Sequence, residues 1–229
     1  MKVAIMQPYF FPYIGYFQLI NAVDIFVVYD DVNFIKQSWI TRNRILLKNE
    51  GFRINLMVQG ASSSKKINQI NRIVDKEKWL KTIEQCYKKA PYFSMVYPLF
   101  EEISMNGEMK LSKYLLFSLK TIAKYLDLKT TFKLSSEIEK DTSLKGQDKV
   151  IDICKEINAT NYINAIGGQV LYNKEDFNKN SIELNFIKTN SIRYKQNDNH
   201  FIPWLSIIDV LMFNNKDEVK EQLNQYELI

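Results

Sequence analysis

The sequence predicts an α/β fold, a Rossmann-like parallel sheet flanked by helices with a helical middle segment, on three observations. Short apolar runs alternate with stretches of helical periodicity along the whole chain of 229 residues. The first two runs, residues 2–6 and 25–29, are continuously apolar rather than alternating, the pattern of strands covered on both faces. A turn and a short helix separate them, so that strand, helix and strand within about thirty residues read as a βαβ unit.

Each element follows from its local pattern. The run over 2–6 is broken by the turn Pro8-Tyr9-Phe10-Phe11-Pro12-Tyr13, and a helix runs from Gly15 to Asn21. Asp24 opens the second strand. A third strand is expected over 52–58, followed by a polar loop around residues 61–66. Residues 76–89 place Trp79, Ile83, Cys86 and Tyr87 on one helical face, and 92–105 and 111–126 are helical as well. A helical subregion of about 75–127 therefore belongs to a single domain spanning 1–229. Beyond it come a short strand over 132–135, a helix over 149–157, a strand over 161–164 ending at Gly167-Gly168, and a strand over 182–187. An apolar turn or helix over 205–212 and a polar helix over 217–226 close the chain.

Composition narrows the function classes. Against 26 acidic residues stand 31 basic ones, of which only Arg42, Arg44, Arg53, Arg72 and Arg193 are arginine. The lysines are dispersed among Glu and Asp, a solvated surface rather than a basic stripe, so nucleic acid is not expected as the main partner. His200 is the only histidine, and no metal site built on two or three histidines can form within one chain; none is expected. Cys86 and Cys154 are far apart, with no CxxC spacing, no hydrophobic leader and no membrane-spanning run. These features read as a reduced, cytoplasmic protein with two structural thiols.

The richest chemistry lies between Gln7 and Arg44. In an α/β sheet, ligands sit beyond the carboxyl ends of the strands, here Gln7–Tyr16 and 29–36. Gln7, Tyr13, Gly15 and Tyr16 stand at the strand-to-helix turn, where first-turn amides favour an anion and Gly15 admits close approach; shaping of the turn is the plain alternative. Tyr9, Phe10 and Phe11 read as packing. Asp30 and Asp31 end the second strand, where a carboxylate serves as general base, orients an amine or holds Mg²⁺ through water, with a helix cap or loop residue as the plain alternative. Lys36, Trp39, Arg42, Asn43 and Arg44 combine cations with a stacking face, which suits a phosphate-bearing ligand or a charged helix face. Gly167, Gly168 and Tyr172 follow a strand and tolerate either a ligand or a plain turn. His200, Ser206 and Asp209 gather an imidazole, a hydroxyl and a carboxylate, with Ser206 and Asp209 also spaced as a helix cap.

The stretches MKVAIMQPYFFPYIGYF, DIFVVYDDVNF, WITRNR, NAIGGQVLY and FIPWLSIIDVLM together resemble the WbqC-like family of bacterial proteins, over nearly the whole chain and in order. The resemblance implies a place in O-antigen or other surface-polysaccharide assembly, with glycine transfer suggested for some members. The start is also similar to the nucleotidyltransferase-type Rossmann domain, whose His-x-Gly-His turn corresponds to Tyr13-Ile14-Gly15-Tyr16. Both histidines are tyrosine here, which speaks against ATP or CTP splitting while leaving a nucleotide-shaped pocket.

Three functions follow as expectations. The first is N-acyl or aminoacyl (glycyl) transfer onto a nucleotide-linked amino sugar, with Asp30, Asp31 or His200 as base; the acyl donor and any cofactor are unknown. The second is a non-catalytic sugar-nucleotide-binding or scaffold protein. The third is a glycosyltransferase, for which the adjacent Asp30-Asp31 only superficially resembles the usual Asp-x-Asp.

Overall fold

The computed structural model describes residues 1–74, 78–197 and 200–229. The start of the helix expected over 76–89 and two residues of the loop before His200 lie outside these. In chain order the elements are β1 (Lys2–Met6), α1 (Ile14–Asn21), β2 (Ile25–Val28), β3 (Arg42–Leu47), β4 (Glu50–Asn55), β5 (Val58–Gln59), β6 (Asn71–Arg72) and α2 (Lys78–Tyr87). They continue with α3 (Phe93–Met105), α4 (Leu111–Tyr125), β7 (Thr131–Leu134), α5 (Gly146–Glu156), β8 (Asn161–Ala165) and α6 (Lys174–Lys179). Last come β9 (Glu183–Thr189), α7 (Ile207–Phe213), α8 (Lys216–Gln222) and β10 (Tyr226–Leu228).

The central sheet has the order β10-β9-β8-β1-β2-β7 and is parallel except for β10. Its inner strands divide by the two-residue period of the pleat. Ala4, Phe26, Val28, Ile163 and Ile187 face the larger core, shared with α1, α7 and the helical middle segment. Val3, Ile5, Val27, Tyr162, Leu184 and Phe186 face a smaller core closed by Val150, Ile153 and Cys154 of α5 and Phe177 of α6. Connections moving toward β7 cross the larger-core face and those moving toward β9 cross the other, the arrangement that keeps each crossover right-handed. The direction reverses between β1 and β8, so the carboxyl edge there is the topological switch point.

Three expectations need correcting. The strand expected over 52–58 runs over Glu50–Asn55 instead, and it stands outside the parallel sheet, paired antiparallel with β3. That partner strand begins at Arg42, within the stretch for which a charged helix face was the alternative. Its burial alternates over Arg42 to Ile45, the two-residue period of a strand. The polar C-terminal helix stops at Gln222, and Tyr226–Leu228 turns back as an antiparallel edge strand on β9.

Candidate functional site

Two adjoining cavities open at the carboxyl edge on the α1 side. The first, about 270 Å³, has among its walls Tyr13, Thr189, Arg193, Tyr194, Phe201 and Trp204. The second, about 190 Å³, is bounded by Tyr9, Pro12, Tyr13, Trp39, Asn43, Arg44 and Trp204. Tyr13 and Trp204 belong to both, packed edge to face with ring centroids 5.9 Å apart. Each volume alone falls short of the roughly 300–1,000 Å³ of small-molecule sites, and the two together fall within it.

The turn after β1 shapes this pair at the cost of backbone strain. Phe11 has φ 45° and Trp204 has φ 60°, left-handed values that are unfavourable for large side chains and gather at functional sites. Asn43 holds the Phe11 turn in place, its Nδ2 donating to the carbonyls of Phe10 (2.9 Å) and Phe11 (2.7 Å). The Ser206 hydroxyl donates to the Phe11 carbonyl as well (2.6 Å), and its oxygen also caps α7 at the Ile208 amide. Gly15 is required beside this turn. A Cβ there would stand 2.4 Å from the Tyr13 ring and 2.5 Å from Thr189 Oγ1, so only glycine lets the Tyr13 side chain lie back against the end of β9.

Charge reaches the cavities from the β3–β4 hairpin. Arg44 lies directly opposite Arg53 in the antiparallel register, and Arg42 is two residues from Arg44, so three of the five arginines share one hairpin face. Among the described residues none of the three has an ion-pair partner. Arg44 lines the second cavity, and its Nε is buried without a hydrogen-bond partner among the described residues. The aromatic faces are unusually open for tryptophan, Trp39 being 45% and Trp204 60% exposed. Arg72, by contrast, is structural: it lies over the Tyr114 ring at 4.0 Å and donates to the carbonyls of Glu108 and Asn106.

Around the edge, on the α5 side, the other polar residues form a closed cluster. Asp31 Oδ2 pairs with Lys149 Nζ (2.8 Å) and Lys140 Nζ (3.2 Å), and Oδ1 accepts the Ser135 hydroxyl (2.7 Å). Burial opposes ionisation of Asp31, but bonds from Lys149 and Ser135 and the charges of Lys149 and Lys140 outweigh it and lower its pKa. Asp30 accepts both the amide and the hydroxyl of Ser136 (2.9 and 2.8 Å). Both carboxylates expected to act as bases are therefore buried and engaged within the fold.

The remaining sequence candidates divide clearly. Tyr13, Trp39, Asn43 and Arg44 come together on the cavities. Arg42 shares the hairpin face without lining either cavity, and Lys36 and His200 are exposed. Tyr16 is buried, its hydroxyl donating to the Gln7 carbonyl (2.8 Å), so at the second histidine position of the nucleotidyltransferase turn the side chain is part of the core. Gly167 and Gly168 lie in a 3-10 segment after β8, and Tyr172 packs edge to face on Tyr162 and Phe177. Ser206 and Asp209 are buried, and Asp209 accepts bonds from Tyr87, Tyr194 and Gln196. Cys154 is buried, which pushes its thiol up to about 12, and burial raises Cys86 as well, so neither is activated. Tyr9, expected to be packing, lines the second cavity. Thr189 and Tyr194 carry no sequence signal, Pro12 reads only as part of the turn, Arg193 only as one of the five arginines, and Trp204 lies in the stretch FIPWLSIIDVLM without standing out from it. The unusual φ of Trp204 has no counterpart in residue type.

Among the described residues no group of three or more His, Cys, Asp or Glu side chains stands together, and no helix is long and apolar enough to cross a membrane. No solved structure gives a significant match. An uncharacterized protein of Mycobacterium tuberculosis is 28% identical over 233 residues, an alignment covering 97% of each chain. The sequence model of the WbqC-like protein family matches residues 7–221, from the end of β1 through both cavities and into α8. That span holds the strained turn after β1, the paired cavities and every parallel strand of the sheet but β1, and the chain belongs to the WbqC-like protein family.

Proposed function

We propose that this protein acts in bacterial surface-polysaccharide assembly by binding a nucleotide-linked amino sugar across the paired cavities and acylating its amine, with an aminoacyl group such as glycyl. The observation that carries the reading is the junction at Tyr13 and Trp204. It joins a small cavity with open tryptophan faces and Arg44, whose buried Nε has no hydrogen-bond partner among the described residues, to a larger, mainly apolar cavity that has Thr189, Asn190 and Ser191 among its walls. The open tryptophan faces and Arg44 suit a base and its phosphates, and Thr189, Asn190 and Ser191 suit sugar hydroxyls. Family membership supports the pathway, and N-acylation is a step open to an amino sugar and closed to its hydroxy counterpart. The amine must be neutral to attack an activated carbonyl, so a proton acceptor has to stand near the first cavity.

The test is incubation of the purified protein with ATP, Mg²⁺, glycine and a panel of UDP- and dTDP-linked 4-amino sugars, followed by mass spectrometry. A glycyl mass increment on the sugar is the expected result. Sugar transfer to a lipid acceptor would replace this reading by a glycosyltransferase. A second reading, a non-catalytic sugar-nucleotide binder, draws support from the engagement of Asp30 and Asp31 within the fold. Saturable binding without turnover would favour it.

A further inference from the structure

Asp209 is fully enclosed, with 0% exposure. Its Oδ1 accepts the Tyr87 hydroxyl (2.8 Å), and its Oδ2 accepts the Tyr194 hydroxyl (2.6 Å) and Gln196 Nε2 (2.7 Å). All three donors are neutral, and among the described residues no cation pairs with this carboxylate. An ionised carboxyl group buried without a counter-charge is costly unless something uses it. The packing around it is specific. Tyr87 accepts the Leu46 amide (2.7 Å) while donating to Asp209, and Gln196 clamps the Ile202 backbone, accepting from its amide and donating to its carbonyl (2.8 and 3.1 Å). The carboxylate thus anchors the irregular segment that carries Arg193, Tyr194 and Phe201.

The first cavity reaches this group. Tyr194 and Val210, the residue after Asp209, both line it. A phenol has one proton, and that of Tyr194 is committed to Asp209, so its oxygen offers a ligand only acceptor lone pairs. A group that meets it has to be a donor, and an ammonium is the donor that a negatively charged acceptor selects.

We propose that Tyr194 and Asp209 form the proton-accepting dyad for the amine of the bound amino sugar, with Tyr194 as the catalytic residue and Asp209 as its positioning residue. This rests on the reading that a sugar nucleotide occupies the cavities. In the step, an N–H bond of the ammonium breaks and its proton passes to Tyr194 Oη, while the phenolic proton moves to Asp209 Oδ2. The electron pair stays on nitrogen, which becomes the neutral nucleophile, and the positive and negative charges cancel inside the site. Formation of the C–N bond with an activated acyl donor then expels the donor's leaving group, which carries away a second amine proton. Burial already raises the Asp209 pKa, which favours its acceptance of a proton.

Calorimetric titration of wild type, Tyr194→Phe and Asp209→Asn with a UDP-linked 4-amino-4-deoxyhexose and its 4-hydroxy counterpart tests the dyad. Wild type is expected to prefer the amino sugar by about tenfold or more, the scale of one charge-assisted bond. Tyr194→Phe keeps the ring and its edge-to-face contact with Phe201 at 5.2 Å, so it is expected to fold. It should lose the preference while binding the hydroxy sugar within about threefold of wild type, a split that a loss of structure would not produce. Asp209→Asn should lose the preference too; if it fails to fold, Tyr194→Phe alone decides. Retention of the preference in Tyr194→Phe, or its loss in His200→Gln instead, would overturn the dyad and leave the sugar-nucleotide site standing. Wild type binding neither compound would overturn the site itself, and the dyad with it.

Discussion

The two faces of the carboxyl edge handle buried charge in opposite ways. On the α5 side, Asp31 sits against Lys140 and Lys149, and Ser135 completes its bonding. On the α1 side, among the described residues, Asp209 has three neutral donors and no cation, while Arg44 has a buried N–H with no acceptor. The first cluster is complete in itself. The second leaves charge of both signs unsatisfied around a pair of cavities, the state expected of a surface that a ligand completes. The aromatic residues make the same point in apolar terms, since the exposed rings of Trp39 and Trp204 and the left-handed backbone of Phe11 and Trp204 are tolerated there rather than relieved.

The largest expected effect breaks the complete side. Asp31→Asn leaves two lysines buried without a counter-charge and should cost about 3–5 kcal/mol of stability, measured by urea denaturation. Its affinity for a UDP-linked amino sugar should stay within about twofold of wild type. A large loss of affinity at modest stability cost would return Asp31 to the ligand site.

Arg44→Ala applies the same operation to the incomplete side, with the opposite result expected. Affinity for the sugar nucleotide should fall by about 1.5–3 kcal/mol, the scale of a bond to a charged group, read by calorimetry. Stability should hold or rise by roughly 0.2–1 kcal/mol, because like charges directly across two strands oppose pairing and Arg44 faces Arg53. Arg42→Ala, on the same hairpin face but off both cavities, should weaken binding less.

Acid titration separates the two aspartates by sign. The pKa of Asp31 is lowered on folding, so its stabilising contribution is present above the ordinary carboxylate range and is lost as pH falls through its folded value. The pKa of Asp209 is raised, chiefly by burial, so the folded state holds its proton longer than the unfolded chain does. Its contribution is therefore greatest in acid and declines as pH rises through that folded value. In thermal melts across the acid range, the gap between wild type and Asp31→Asn should shrink on acidification, and that between wild type and Asp209→Asn should widen. Parallel trends would mean that the two carboxylates do not differ as described.

How far the sequence reveals this contrast depends on the distance over which each feature is encoded. The parallel sheet is legible because continuous apolar strands and helical periodicity are local, and β1, α1 and β2 fall where the pattern puts them. Trp39, Asn43 and Arg44 are legible as a cluster because they are neighbours in the chain. The fate of Asp30 and Asp31 is not, because their partners Ser135, Ser136, Lys140 and Lys149 arrive more than a hundred residues later on β7's loop and α5. Asp209 shows the same limit. Its spacing from Ser206 reads as a cap, and Ser206 is that cap, but the bonds from Tyr87 and Tyr194 come from elements that only the fold brings together. The cavities themselves depend on two left-handed aromatic residues, a choice made by tertiary bonds to Phe11 in one case, and Trp204 gives no sign of it in its side chain.

The smallest effect belongs to a surface counterpart of Asp31. Asp127 also meets two lysines, Lys216 at 2.8 Å and Lys220 at 2.5 Å, but it stands in solvent. Hydrogen bonds from Lys216 and Lys220, then their charges, lower its pKa to about 2. Asn accepts the left-handed backbone that Asp127 adopts at φ 57°, so Asp127→Asn removes the charge without disturbing the turn. The stability it loses should be present at neutral pH, fade as pH falls toward 2, and vanish in about 1 M salt, where screening acts within roughly 3 Å. The Asp31→Asn deficit should survive the same salt in thermal melts, because its lysines are shielded from the ions that would replace the lost carboxylate. If salt erased both deficits alike, the Asp31 cluster would be a surface pair in all but position, and burial would not be what distinguishes the two faces of the edge.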